Sequence, residues 1–273
     1  MEGIIYTPKG KAREYSPYAL NIYNGCDHNC EYCYVKTMPF RKQVLNSEIE
    51  PRNNILAKLE KQLKKNEINE QVLLCFTGDP YCKADVKYET TREILKILLK
   101  YNVPTAILSK GGERILRDLD LFKKFNKIKV GSTLTLTKNM DSLIYEPGAP
   151  LPKERMETLK TLHDEGIKTW VSFEPVIYTE QTMGILEITK DYVDQYKVGK
   201  MNHHKSNIDW GKFGDAISKR LLYLGNDFYI KKDLYQYMNI KLENKYIDQD
   251  YFVLRKDRTE TKKTAQILQP ALF

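Results

Sequence analysis

From residue 71 onward, short apolar runs alternate with helix-length amphipathic stretches, and this alternation constrains the fold more than any other feature of the 273-residue chain. Residues 71–77 form a buried-type apolar run, and residues 90–100 carry Ile94, Leu95, Leu98 and Leu99 at helical spacing. The unit then recurs. Strand 103–109 precedes helix 113–125, β-branched strand 129–136 precedes helix 152–165 with Gly166 as its stop, and strand 168–173 follows. Two short strands, 192–198 and 228–230, flank helix 209–224. Such alternation predicts an α/β protein with a parallel sheet, either open and doubly wound or a complete or partial barrel. In either case ligands gather beyond the carboxyl ends of the strands. Loops 77–80, 109–112, 133–137 and 173–175 are therefore the expected site.

With 41% hydrophobic and 29% charged residues, and no apolar run of the ~18 residues a membrane span needs, the composition is that of a soluble globular protein. The start, Met1-Glu2-Gly3-Ile4-Ile5-Tyr6, lacks the basic end and apolar stretch of a secretory signal, so a cytoplasmic, reducing location is expected. Lys and Arg number 44 against 36 Asp and Glu, a formal charge of +8 that suits a polyanion such as nucleic acid. Lys, Asn, Ile and Tyr are abundant throughout, however, as an A+T-rich coding sequence would also produce. The Lys-rich stretch 58–65 reads as the solvated face of a helix. One domain over residues 1–254 and a polar tail over 255–273 are expected.

Three of the five cysteines fall within eight residues, in Gly25-Cys26-Asp27-His28-Asn29-Cys30-Glu31-Tyr32-Cys33-Tyr34, after the strand-like stretch 19–23. An odd count so clustered argues for metal rather than disulfides. Three thiolates in one short loop can hold three irons of a cubane cluster and leave the fourth open to an outside ligand. The competing metal reading is a Cys3His zinc site completed by His28, although such sites usually combine two separated ligand pairs. Three neighbouring thiols without metal would be reactive and exposed.

The spacing C-x3-C-x2-C, with the aromatic Tyr32 just before the last cysteine, resembles the signature of the radical S-adenosylmethionine superfamily. The resemblance implies a partial (β/α)6 TIM-like barrel, a [4Fe-4S] cluster on Cys26, Cys30 and Cys33, and S-adenosylmethionine on the open iron, cleaved reductively to a 5′-deoxyadenosyl radical. A reductant such as flavodoxin or ferredoxin would supply the electron. Thr77-Gly78-Asp79-Pro80-Tyr81, Thr91-Arg92-Glu93-Ile94-Leu95, Ser109-Lys110, Arg117-Asp118-Leu119-Asp120 and Glu146-Pro147-Gly148-Ala149-Pro150 look like blocks of the spore photoproduct lyase-like branch, also labelled DNA-repair photolyase-like.

Carried over by position, Thr77, Gly78 and Asp79 match the site of the cofactor's amino group. Lys110, with Ser109 beside it, matches a partner for its carboxylate. Thr133 and Thr135 match positions for ribose hydroxyls, and Glu174 stands near the adenosyl moiety. Tyr32 and Tyr34 match positions that help relay a hydrogen atom. The lyase's hydrogen-donating cysteine corresponds to Phe76, with Cys75 one residue early and so turned to the other face of the strand. Cys75, Cys82 or a tyrosine is the alternative donor. Nucleic acid or a nucleotide is the expected substrate, with peptide or small-molecule modification and a non-catalytic iron–sulfur or zinc protein as alternatives. Gly199-Lys200-Met201-Asn202-His203-His204 follows the expected sixth strand and so lies where substrate would be read, with His203 or His204 the expected contact, and Tyr229-Ile230-Lys231-Lys232-Asp233 reads as a later strand end.

Overall fold

The computed structural model describes residues 3–38, 48–202 and 204–248. The tail expected over residues 255–273 lies outside them, as does His203. Eight strands form one sheet in chain order: β1 (Ile5–Tyr6), β2 (Tyr18–Leu20), β3 (Val72–Leu74), β4 (Thr105–Leu108), β5 (Ile128–Thr133), β6 (Lys168–Phe173), β7 (Gln195–Val198) and β8 (Asp227–Ile230). β1 pairs antiparallel with β2, and every later pairing is parallel. β1 and β8 do not pair, so the sheet is a partial barrel. Strands β2 to β7 match the six parallel strands of the expected barrel, and β8 matches the further strand expected at 228–230.

Helices α1 (Ile55–Leu63), α3 (Thr90–Lys100), α6 (Pro152–Asp164), α7 (Thr179–Thr189) and α8 (Trp210–Leu224) cover the outside. In α3, Ile94, Leu95 and Leu98 are fully buried, each contributing roughly 1.5–3 kcal/mol through apolar area removed from water. α6 begins on Pro152, whose fixed φ suits a first helical turn. α8 starts under the Asp209 carboxylate, which accepts the Lys212 N–H at 3.0 Å, and ends on Gly225 at φ +70°. Shorter helices α2 (Lys83–Tyr88), α4 (Leu119–Phe122), α5 (Asn139–Tyr145) and α9 (Lys232–Tyr235) sit in the connections.

Side chains alternate along the strands. Val130, Val171, Phe173, Tyr196, Val198, Phe228 and Ile230 join the main apolar cluster under the helices. The opposite phase faces the barrel interior, where Leu73, Ala106, Trp170 and Tyr229 pack with Tyr15. Register sets Thr133 beside Ser172, Ser172 beside Lys197, and Lys197 beside Tyr229. A band of polar side chains thus crosses the upper barrel at the carboxyl ends.

Candidate active site

β2 leads into the loop bearing Cys26, Cys30 and Cys33, which backbone contacts hold from several sides. The Asn21 side-chain oxygen accepts the amides of Phe76 (2.8 Å) and Thr77 (2.9 Å), tying the loop's start to the end of β3. A Cβ on Gly78 would stand 2.7 Å from the Gly25 carbonyl oxygen, so only glycine allows that crossing. On the far side Glu31 N–H donates to the Tyr145 carbonyl (2.9 Å) and Gly148 N–H to that of His28 (3.0 Å).

All three thiols border one cavity of about 800 Å³. Burial raises the pKa of Cys26 and of Cys30, and for Cys30 the Lys110 ammonium opposes the rise. Metal binding would release those protons. Among the described residues, no three His, Cys, Asp or Glu side chains converge closely enough to share one ion. Thiols that border one cavity without converging suit a cluster, in which each cysteine holds its own iron. His28, the fourth ligand of the zinc alternative, is engaged elsewhere: Nδ1 lies 3.5 Å from Asp79 Oδ2, and Nε2 lies 3.4 Å from Arg114.

The other expected site residues reach the same cavity from successive strand ends: Thr77 to Asp79 after β3, Ser109 and Lys110 after β4, Thr133 in β5 and Glu174 after β6. Several of them are also bonded within the protein. Asp79 accepts the Ser109 hydroxyl (2.6 Å) and the Tyr81 amide (2.8 Å) on Oδ1, and the Lys110 amide (2.7 Å) on Oδ2. Its carboxylate joins the β3 and β4 loops while bordering the cavity. The Ser109 hydroxyl is engaged too, also accepting the Gly111 N–H at 2.8 Å. Thr135 does not border the cavity; it lies beyond the end of β5 and donates to Glu146 at 3.2 Å. Tyr32 donates to Glu146, and Tyr34 to the Phe76 carbonyl (2.6 Å).

Phe76 packs with the interior cluster while Cys75 belongs to the outer one, as the one-residue offset requires. Cys75 borders the cavity's edge but is 8% exposed, and burial raises its thiol pKa strongly. Cys82 is fully buried in the outer core, away from the cavity, with a thiol pushed up to about 12 by burial. The inward fold of its loop that a donor role for Cys82 would need is not seen. His204 is exposed and does not border the cavity. Asn202, two residues earlier, borders it instead and donates to Glu174 at 2.9 Å.

The cavity floor contains residues the sequence reading did not assign. Lys231, 2% exposed, sets its ammonium 2.7 Å from both oxygens of Glu174. Tyr15 donates to the same carboxylate, and its hydroxyl lies 2.9 Å from Ser172. Lys197 Nζ stands 3.8 Å from the Tyr15 ring centroid, and burial drives its pKa well down. A Cβ on Gly199 would fall 2.8 Å from Glu174 Cδ, so glycine there leaves room for the ion pair. The available signal was a lysine at or just past the inward phase of an apolar strand, at 197 and 231. Tyr15 carried none.

A parallel, unclosed barrel whose cysteine loop and polar strand ends share one cavity defines the class, and the comparisons give the family. The sequence matches the Radical SAM superfamily over residues 20–193, and the chain belongs to it. Uncharacterized proteins are similar: one of Methanocaldococcus jannaschii is 32% identical over 162 residues, covering 59% of this chain and 60% of that protein. Another, of Mycobacterium tuberculosis, is 27% identical over 169 residues, covering 59% and 49%. The matched segment thus spans about half to three fifths of these relatives. Among solved structures, SuiB of Streptococcus suis bound to S-adenosylmethionine superposes with TM-score 0.63 at 16% identity, covering 82% of this chain and 53% of that one. A spore photoproduct lyase mutant with bound AdoMet and dinucleoside spore photoproduct gives TM-score 0.58 at 15% identity, covering 88% and 66%. These are likenesses of fold. The cofactors are those of the family, a [4Fe-4S] cluster and S-adenosylmethionine, and its members draw an electron from a donor. Among the described residues no helix is long and apolar enough to cross a membrane.

Proposed function

We propose that Cys26, Cys30 and Cys33 hold the cluster, that Thr77, Gly78, Lys110 and Thr133 hold S-adenosylmethionine, and that the substrate lies against Tyr15, Glu174, Asn202 and Lys231. The observation that carries this reading is the single cavity bordered by all three thiols at one side and by the Glu174–Lys231 pair at another. When bound, the cluster and S-adenosylmethionine would supply reductive, radical-generating chemistry to a substrate in the cavity. The chain's own residues orient and enclose. Gly78 would let backbone approach the cofactor's amino acid end, and the Lys110 ammonium, 15% exposed, would pair with its carboxylate. Glu174, fixed by Lys231, Tyr15 and Asn202, presents a rigid acceptor to whatever enters.

For the substrate, the reading best supported is a nucleic acid or nucleotide. Lys9, Lys11 and Lys36 border the cavity, and the chain carries +8 overall. Each lysine that neutralises one phosphate of duplex DNA adds about −0.9 to the slope of log affinity against log salt, so all three would give a slope near −2.7. Binding of a fluorescent oligonucleotide between 50 and 200 mM salt measures it. Release of 5′-deoxyadenosine with and without the oligonucleotide tests coupling to chemistry. Salt-independent or absent binding, with turnover on a peptide instead, would move the assignment to peptide modification.

A further inference from the structure

Behind the cysteine loop lies a buried charge cluster. Glu146 and Arg155 are each 1% exposed and form an ion pair through Oε2 and Nη2. Oε1 of Glu146 accepts the Tyr32 hydroxyl and, at 3.2 Å, that of Thr135. Lys110 Nζ stands 3.9 Å from the same oxygen and 5.5 Å from the Tyr32 ring centroid. Arg155 also donates to the Thr133 carbonyl at 3.0 Å, joining the end of β5 to the loop. Two cations and one anion therefore surround Tyr32, the residue between Cys30 and Cys33.

A buried ion pair is weak support for stability, because desolvation offsets most of its attraction. Here the satisfaction is incomplete as well, since Arg155 Nε is buried without a hydrogen-bond partner among the described residues. An arrangement that adds little stability but places charge beside a metal-binding loop has its effect on the metal. Net charge and hydrogen bonding around an iron–sulfur cluster set its reduction potential, and Tyr32, whose hydroxyl donates to Glu146, stands in the chain between Cys30 and Cys33.

We propose that Glu146 and Arg155 are positioning residues that hold Tyr32 and set the charge around the cluster, and so govern how readily it accepts an electron. The inference rests on the reading of Cys26, Cys30 and Cys33 as cluster ligands. The test is a redox titration followed by electron paramagnetic resonance, without S-adenosylmethionine, on anaerobically reconstituted protein. Iron and sulfide contents, and circular dichroism of the apo-proteins, are measured first. With iron retained, Glu146→Gln is expected to shift the potential positive by leaving both cations unopposed. Arg155→Met is expected to shift it negative, Arg155→Lys to leave it at the parent value, and the double variant E146Q/R155M to return it. Lys110→Met, at a less buried cation, is expected to shift it negative and serves where Arg155→Met does not fold. Equal potentials across all charge-changing variants, or shifts of one sign for both partners, would overturn the proposal. Parent protein that takes up no iron and sulfide would instead overturn the cluster reading, and this inference with it.

Discussion

Two glycines fix the cysteine loop by what they lack. A Cβ on Gly148 would meet the Asp27 carbonyl oxygen at 2.0 Å, and one on Gly78 the Gly25 oxygen at 2.7 Å. Both obstacles are backbone, so no side-chain rotation relieves them. Gly148→Ala is expected to cost about 1–3 kcal/mol in thermal unfolding and to lower iron uptake, while a matched alanine at the unobstructed, exposed Lys9 leaves both unchanged. At the cavity floor, Glu174→Gln strands the ammonium of Lys231, and truncating one partner of a buried pair costs roughly 3 kcal/mol. Glu174→Gln/Lys231→Met is expected to recover that stability but not turnover, whereas recovery of turnover would make Glu174 purely structural. Some residue roles were legible in the sequence and some were not. The motif spacing identified three thiols that do share a cavity, but Asp79 and Ser109 are short polar residues that serve loop closure as readily as ligand binding, and only their partners decide which.

At the scale of elements, period-two alternation made β5 to β8 readable and also set the inward row. β6 begins and ends where its apolar pattern does, at Lys168–Phe173. α5 and α7 were missed for a physical reason. α7 buries Gln181, Thr182 and Thr189 beside Ile185 and Leu186, so its inner face is only partly apolar. Gln181 is inside because its side-chain oxygen accepts the Thr137 and Lys138 amides (2.7 and 3.1 Å), closing the loop after β5. α5 has only seven residues and exposes Met140, Leu143 and Ile144. β5 carries a testable titration. Lys129, inside the barrel beneath Thr133, donates to Gln195 at 2.9 Å, and burial lowers its pKa to about 7, with Asp227 opposing. The unfolded value is about 10.4, so between about pH 7 and 10 the unfolded chain binds more protons and stability rises with pH. Lys129→Met is expected to stabilise the protein most below pH 7, by up to a few kcal/mol, and less toward pH 10. Denaturant unfolding of both proteins at pH 6 and 10 measures the difference, and a pH-independent difference would contradict it.

For the whole molecule, the barrel divides its cavity by strand order. The cysteine loop after β2 and the ends of β3 to β5 form one side, and the ends of β6 and β8 with the segment around Tyr15 form the other. The first side was largely legible because its residues form contiguous motifs. The second was not, because Tyr15, Asn202 and Lys231 are brought together around Glu174 only by the curl of the sheet, with more than 200 residues of chain between Tyr15 and Lys231. On the proposed reading the first side would hold the cluster and S-adenosylmethionine, and one assay addresses it. Anaerobically reconstituted, reduced protein is mixed with S-adenosylmethionine, and 5′-deoxyadenosine is quantified for the parent and for Cys30→Ala. The expected result is 5′-deoxyadenosine from the parent alone, with iron and sulfide in the parent near four of each per chain. Equal formation by both proteins, or a parent that binds zinc in place of iron, would contradict the assignment of Cys30 to the cluster.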